Sequence, residues 1–406
     1  MLFDYFLISL RNLRRRRIRT WLTMIGIFIG IAAIVSLVSL GHGLEVAINE
    51  EFMEMGTDKI IVQPGSGHGF GTLSGTGGIT LSDKDLEVVR RVKGVKEAGG
   101  FVYGVAGIKF GDSFKYTWVM GVPLDKSRVV IESMQNVEVV EGRKLRQNDK
   151  YKALVGWEIY NGNLFGERVG IGNKLLIGNK SFRVVGLLAP FGNPQDDSSI
   201  IIPLDIAKEM FDKEDSLDTI IAQVVKGVDM AEVANNIEEA LRKERNVREG
   251  EEDFSVDTMQ QLMETFSVIL NVVQIVFFGI TGISLVVGSI GIMNTMYTAV
   301  LERTREIGVM KAIGAKNSDI LWIFLMESGL LGTVGGAIGV AIGVMLSKAV
   351  HYVTTSTMGI EYLKPYFPLE LVLGALVFSF ILGCVSGVLP AYRASKLKPV
   401  DALRYE

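Results

Sequence analysis

Four long apolar runs divide the chain: Trp21–Leu44, Phe266–Val300, Ile320–Ala349 and Leu369–Leu389. The first run carries no charge apart from His42 when protonated. As a helix its 24 residues reach about 36 Å, enough to cross a hydrocarbon core of about 30 Å. The second run is longer and has room to tilt or protrude. The pattern predicts four transmembrane helices, with a soluble segment 45–265 between the first two and a short charged stretch, LERTREIGVMKAIGAKNSD at 301–319, between the second and third. A charged stretch of that kind cannot lie in hydrocarbon and belongs at a membrane surface.

Within 45–265 the periodicity changes. Lys59–Gln63 reads as a strand, and Ser82 caps a helix with Asp85 three residues on and Leu86, Val89 and Val92 on its apolar face. Strand-like runs fill 100–122. Asn173–Leu188 reads as a hairpin turning at Gly178-Asn179, Ser199–Ile202 as a strand and Leu204–Phe211 as a helix. The segment closes with strand Asp218–Val225, helix Met230–Arg245 and strand Phe254–Asp257. Two β-α-β units, 57–103 and 217–258, therefore bracket a β-rich insertion over about 104–216. The fold class is an α+β membrane protein: four transmembrane helices and a large extracytoplasmic α/β domain between helices 1 and 2.

Composition agrees. Of 406 residues 48% are hydrophobic, and the mean hydropathy is +0.32. A single cysteine, Cys384, excludes an intrachain disulfide, and His42, His68 and His351 are too scattered to suggest a metal site. Segment 45–265 holds 26 basic and 36 acidic residues, whereas 1–20 holds six Arg and one Asp. The 301–319 stretch carries four basic and three acidic residues, and the tail adds Arg393, Lys396, Lys398 and Arg404. The positive-inside rule then places both termini and 301–319 in the cytoplasm of a multi-pass cell-membrane protein, and the acidic domain outside. The even number of spans agrees.

Residues 1–20 read as an amphipathic helix on membrane lipids, with Phe3, Phe6, Leu7, Leu10 and Leu13 near helical spacing ahead of the Arg cluster. The apolar run that follows is longer than a signal peptide's, so it reads as an uncleaved anchor. The Arg cluster is a topology signal and not a nucleic-acid site. Small-residue pairs suit close helix packing: Gly26/Gly30 in the first span, Gly332/Gly336, Gly335/Gly339 and Gly339/Gly343 in the third, and Gly383/Gly387 in the fourth. Glu327 is an intramembrane acid. It is a functional candidate by default, set against a structural role bonded to helix ends or a basic side chain, which is the favoured reading.

No catalytic constellation is visible. The loop PGSGHGFGTLSGTGG fits no phosphate-binding spacing and reads as a surface loop; Asp196-Asp197 lacks a nearby His or Cys; GNKS at 178–181 sits in a hairpin. The informative stretch is 301–319. Glu302, Arg303, Arg305 and Glu306 alternate in sign, and Lys311 follows. Ile307, Met310 and Ile313 form an apolar stripe, while Gly308, Gly314 and Ala315 keep the surface thin. Such a helix suits a groove on a partner protein, and also a bed of lipid headgroups.

ERTREIGVMKAIGA, followed by Asp319-Ile320, Glu327 and a Gly-rich span, resembles the FtsX-like permease domain, as does LPAYRASKLKPVDALRYE at the end of the chain. NLRRRRIRTWLTMIGIFIGIAAI, EGR at 141–143, ALVG at 153–156, LFG at 164–166 and FRVVGLL at 182–188 resemble the MacB-type core domain. The resemblance to MacB/FtsX-like ABC transporter permeases covers nearly the whole chain in order. The apolar runs set the boundaries at 1–20, 21–44, 45–265, 266–300, 301–319, 320–349, 350–368, 369–389 and 390–406. The resemblance names 45–265 as the MacB-type core domain. It also implies a homodimer that binds two copies of a cytoplasmic ATPase subunit, with 301–319 as the coupling helix and no catalysis by this chain. ATP and Mg then sit on the ATPase and no cofactor is bound here. The family's namesake carries its ATPase on the same polypeptide; this sequence has none, so a stand-alone permease subunit is expected. Motion would pass to the external domain for export or remodelling of a drug, peptide, lipid or lipoprotein, with an external adaptor or substrate protein as a further partner. The alternatives are an ATP-independent receptor or scaffold, and a division-type regulator of cell-wall hydrolases.

Overall fold

A computed structural model describes residues 17–65, 79–135, 137–192, 194–358 and 364–403. Residues 1–16 of the amphipathic helix expected over 1–20, residues 66–78 of the Gly/Ser loop, residues 359–363 of the loop before the last span, and the tail end 404–406 lie outside the described residues. The chain forms two units: Met1–Leu44 with Leu270–Val353 and Leu363–Glu406, and Glu45–Ile269 with Thr354–Tyr362.

The first unit is helical. Helix α1 is Arg17–Met55. The remaining long helices follow the α/β segment and are named below after its elements. Four candidate membrane spans are present, Ile25–Glu50, Met259–Glu302, Asn317–Ser356 and Leu369–Ser395.

The second unit opens with β1 (Lys59–Pro64), β2 (Leu81–Ser82), α2 (Asp83–Arg91), β3 (Val95–Phe110) and β4 (Ser113–Val122). Then come α3 (Arg128–Met134), β5 (Val139–Gly142), β6 (Lys152–Val155), α4 (Trp157–Asn161), β7 (Lys174–Ile177) and β8 (Lys180–Leu188). It continues with α5 (Pro194–Asp197), β9 (Ile200–Pro203), α6 (Leu204–Met210), β10 (Ser216–Leu217), β11 (Thr219–Val224), α7 (Met230–Arg245) and β12 (Phe254–Thr258). The helical unit's long helices are α8 (Met259–Glu302), α10 (Asn317–Met358) and α11 (Leu369–Ser395), with short α9 (Thr304–Ala312) and α12 (Pro399–Leu403).

The two expected β-α-β units do not stand apart. Their strands interleave in the order β12-β1-β11-β3, every neighbouring pair antiparallel. This is a split β-α-β sheet: each crossover helix leaves a gap that a strand from the other unit fills. The insertion extends the same sheet. β3 is long enough to pair β11 with its first half and β4 with its second. From there β4-β9-β6-β8-β7 returns to β3, closing a ring of six strands.

Strand alternation assigns the side chains to two cores. Ile60, Val62, Ile220 and Ala222 face α2 and α7, and the same apolar layer continues through the ring as Ile108, Val119, Phe182 and Ile200. Ile61, Ile221, Phe101 and Ile201 face the other way. There they meet α3 and the ends of two long helices: Phe52 from α1, and Met259 and Leu262 from α8. Both helices run past the apolar runs read from sequence, because their polar-looking ends carry residues that finish this core.

The helix starts behave as read. Ser82 and Asp85 form a complete capping box, and Leu86 and Val89 are buried. Asp229 caps α7, and Asn246 ends it in the left-handed conformation. Arg245 joins the two halves of the split sheet: it donates to Asp85 at 2.9 Å, to Asp253 at 2.5 Å and to the Thr80 carbonyl at 2.7 Å. Burial pushes the Asp85 carboxyl up, but the hydrogen bonds from Arg245 and Ser82 and the Arg245 charge outweigh it and hold it below the usual carboxylate range. A depressed carboxylate stabilises the fold above its unfolded pKa and loses that contribution as pH falls through the folded value. The lock is expected to loosen in acid, below about pH 4. Asp85→Ala should cost about 2 kcal/mol, since it leaves a half-buried guanidinium with one carboxylate fewer. Amide exchange at 81–91 and 245–253 reads this; unchanged protection there would refute the lock.

Candidate functional site

The charged stretch between the second and third spans is broken into a short helix. Arg303 has non-helical φ −108° and ends the run from α8. At the other end Gly314, at φ +106°, lets Ala315 donate to the Met310 carbonyl and Gly314 to Lys311. That is the left-handed C-cap glycine favours. A Cβ at Gly314 would meet nothing within 4 Å, so the glycine is needed for its backbone and not, as the sequence suggested, for a thin surface.

The predicted apolar stripe is divided between two faces. Ile307 is fully buried among Ile292, Met296, Val300, Ile320, Phe324, Ala391 and Ala394, and Met310 and Ala315 pack against the edge of that cluster. Thr304 and Gly308 are buried on the same face. Ile313 is 83% exposed and Val309 47%, and they share the open face with Leu301, Glu302, Arg305 and Glu306.

Two cations fasten the inner face. Arg303 donates to Glu327 at 3.0 Å and to Glu306 at 3.0 Å, with its guanidinium 5.6 Å from the centre of the Phe324 ring. Glu327 thus has the basic partner of the structural reading. Lys311 donates to the carbonyls of Ser395 and Leu397, at 2.5 and 2.8 Å, where α11 ends. Partial desolvation moves the Lys311 amine below its ordinary value, while the exposed carbonyls of a helix end favour a cation there. Helix α9 also packs on α12. Sequence reasoning included Arg303 and Lys311 with the partner-facing residues; their inward direction was not legible, because their acceptors lie 24 and 84 residues further along.

The glycines sort the spans. An added Cβ at Gly26 would lie 2.6 Å from the Gly288 Cα, and one at Gly30 2.7 Å from Leu285, so α1 crosses α8 there. Gly332 and Gly336 face Ser379, and Gly383 and Gly387 face Ser328, joining α10 to α11. Gly339 and Gly343 face the Phe28 and Ala32 carbonyls, joining α10 to α1. Gly335 is buried between these sets. The overlapping small-residue pairs of α10 therefore serve two neighbours. The second glycine of the α1–α8 crossing, Gly288, was not singled out, since its four-residue partner is Ser284 and not a second glycine. Among the described residues no group of His, Cys, Asp or Glu is placed to hold a metal ion.

Arg303→Ala and Glu327→Gln should each destabilise the helical unit, and together by less than their sum, with a coupling energy of about 1–3 kcal/mol. Thermal unfolding of the solubilised single and double variants measures it; strict additivity would show that the pair contributes nothing. Gly332→Val puts atoms where the Ser379 carbonyl oxygen lies 2.2 Å from an ideal Cβ. It should separate α10 from α11, lowering the yield of folded protein and abolishing crosslinks between cysteines placed across that crossing.

Residues 20–240 match the MacB-like periplasmic core domain, and residues 278–399 match the FtsX-like permease C-terminal domain. An uncharacterized ABC transporter permease of Methanocaldococcus jannaschii is 37% identical over 404 residues, covering 99% of this chain and 98% of that one. The macrolide export ATP-binding/permease protein MacB of Bdellovibrio bacteriovorus is 31% identical over 411 residues, covering 98% of this chain but only 61% of that longer protein. The periplasmic region of MacB from Actinobacillus actinomycetemcomitans superposes with TM-score 0.45 at 14% identity, over 54% of this chain and 97% of that one. With four candidate spans and both domains matched in order, the chain is a multi-pass membrane protein that belongs to the MacB/FtsX-like ABC transporter permeases.

Proposed function

We propose that this permease transmits motion from an ATPase on another polypeptide to its α/β unit, which lies outside the membrane. The observation that carries the reading is the two-faced helix α9. Its inner face is tied to α10 by Arg303–Glu327 and to the end of α11 by Lys311. Its outer face offers Val309 and Ile313 among Glu302, Arg305 and Glu306. An apolar pair ringed by charges fits a groove on a soluble protein better than the headgroup layer.

ATP and Mg are bound by the partner and not by this chain. Two permeases and two ATPases form the working assembly, with both termini and α9 in the cytoplasm, where the positive-inside rule puts them. Closure of the ATPases presses on α9. Because α9 is anchored on two spans, the push reaches α8, α10 and α11 together. Helices α1 and α8 carry it onward, for Phe52, Met259 and Leu262 are part of the sheet's second core. Close-packed interiors transmit displacement with little compression. The α/β units then expel or remodel a drug, peptide, lipid or lipoprotein, alone or with an external adaptor. No step needs a polar path through the spans.

The full chain, affinity-tagged and purified from its native membrane, should bring with it an ATP-hydrolysing subunit. Ile313→Asp and Arg305→Glu, both on the open face, should abolish that association while leaving the melting temperature unchanged. Absence of any ATPase, or retention of it by both variants, would sink the reading. Leu262→Ala should act differently. ATP turnover should persist, and ATP-dependent changes in crosslinking between α/β units should fall by about tenfold as a cavity absorbs the displacement.

A further inference from the structure

Beyond the second core, one face of the ring is left open. Strand pairing puts Tyr103 opposite Met120, Val105 opposite Trp118, Gly107 opposite Tyr116 and Lys109 opposite Phe114, all pointing the same way. The first of these pairs packs against the second core. The others do not: Tyr116 is 71% exposed, Phe114 54% and Val105 52%. Tyr103, Trp118, Tyr116 and Phe114 form an aromatic strip, with ring centroids 5.8 Å apart for Tyr103–Trp118 and 5.2 Å for Phe114–Tyr116. Gly107 leaves room for it: a Cβ there would lie 2.4 Å from the Phe114 ring. A contiguous exposed apolar patch of this kind marks a binding surface.

The far end of the same face is basic. Lys109 lies between Phe114 on β4 and Leu176 on β7, and Lys174 of β7 lies opposite Arg183 of β8. Lys109, Leu176, Lys174 and Arg183 are exposed. No carboxylate occupies these face positions, although acidic residues outnumber basic ones across 45–265. Lys109, Lys174 and Arg183 enter no ion pair among the described residues. From Trp118 to Phe114 the strip runs about 13 Å at strand spacing, close to the length of a ten-carbon chain.

We infer that this face of β3, β4, β7 and β8 binds a phosphate-headed, lipid-like amphiphile. Its acyl body lies along Trp118, Tyr116 and Phe114, and its head meets Lys109, Lys174 and Arg183. The fork of Arg183 beside two ammonium groups suits a doubly charged phosphate monoester better than a carboxylate. The inference names the substrate class of the transport reading and rests on it, but binding at this face requires neither ATP nor the partner.

The test uses the full chain in lipid discs, with Trp118 fluorescence as reporter and the Trp118→Phe chain as blank. Decyl phosphate should give a saturable change, whereas decanol and inorganic phosphate at the same concentrations should not. Phe114→Ser with Tyr116→Ser, read from Trp118, should weaken decyl phosphate by about tenfold or more. Lys109→Glu with Lys174→Glu should remove its advantage over decanol. Both pairs of changes are on exposed positions, and unchanged melting confirms that the fold survives. No saturable change, equal binding of decanol or decanoate, or unchanged affinity in the Ser variants would overturn the assignment. So would a drop in oligomeric mass of the Ser variants without amphiphile binding, which would give the face to a second copy. Failure here leaves the ATPase coupling reading standing, and loss of ATPase association leaves this one standing.

Discussion

Hydrocarbon supplies no hydrogen-bond partner, and that constraint shapes the helical unit. Every backbone group must be satisfied within the helices, so the apolar runs have little choice of conformation. Lipid is also as apolar as leucine, so burying leucine gives the spans no reason to associate. Contact has to come from shape. Gly26 with Gly288, Gly332 with Gly383 and Gly339 with the Phe28 carbonyl let backbones meet where a methyl group would collide. Helix α10 sits between α1 and α11 because it carries glycines on two faces.

The same constraint concentrates chemistry at the helix ends, where polar groups are allowed. The last carbonyls of α11 need donors, and Lys311 supplies them. Glu327, too polar for the middle of a span, lies near the junction and takes Arg303. These contacts make α9 a rigid corner of the unit. Its remaining exposed face is then a surface of fixed shape.

The α/β unit obeys different rules, since water drives its folding. Alternation along β1 and β11 sends apolar side chains to both faces, so both must be covered. Helices α2 and α7 cover one. The other is covered by α3 and by the ends of α1 and α8, which makes residues 45–55 and 259–269 structural parts of the unit. Beyond that cover, the face of β3 and β4 keeps its aromatic side chains and loses its lid.

Much of this was legible in the sequence, because the signals are local. Runs of apolar residues fix spans, Ser82 and Asp85 fix a helix start, and Gly178-Asn179 fixes a turn. The choice of family rests on motifs that are contiguous in the chain. The direction of a side chain within α9 was not legible: Ile307 and Ile313 share a composition and a spacing, yet one is buried and the other open. The interleaving of the two β-α-β units, the closure of the ring through β7, and the pairing of Arg245 with Asp85 across 160 residues were likewise hidden. A sequence determines by itself whatever depends on neighbours within a few turns. Which face finds a partner depends on groups brought together from distant parts of the chain, and only tertiary structure decides that.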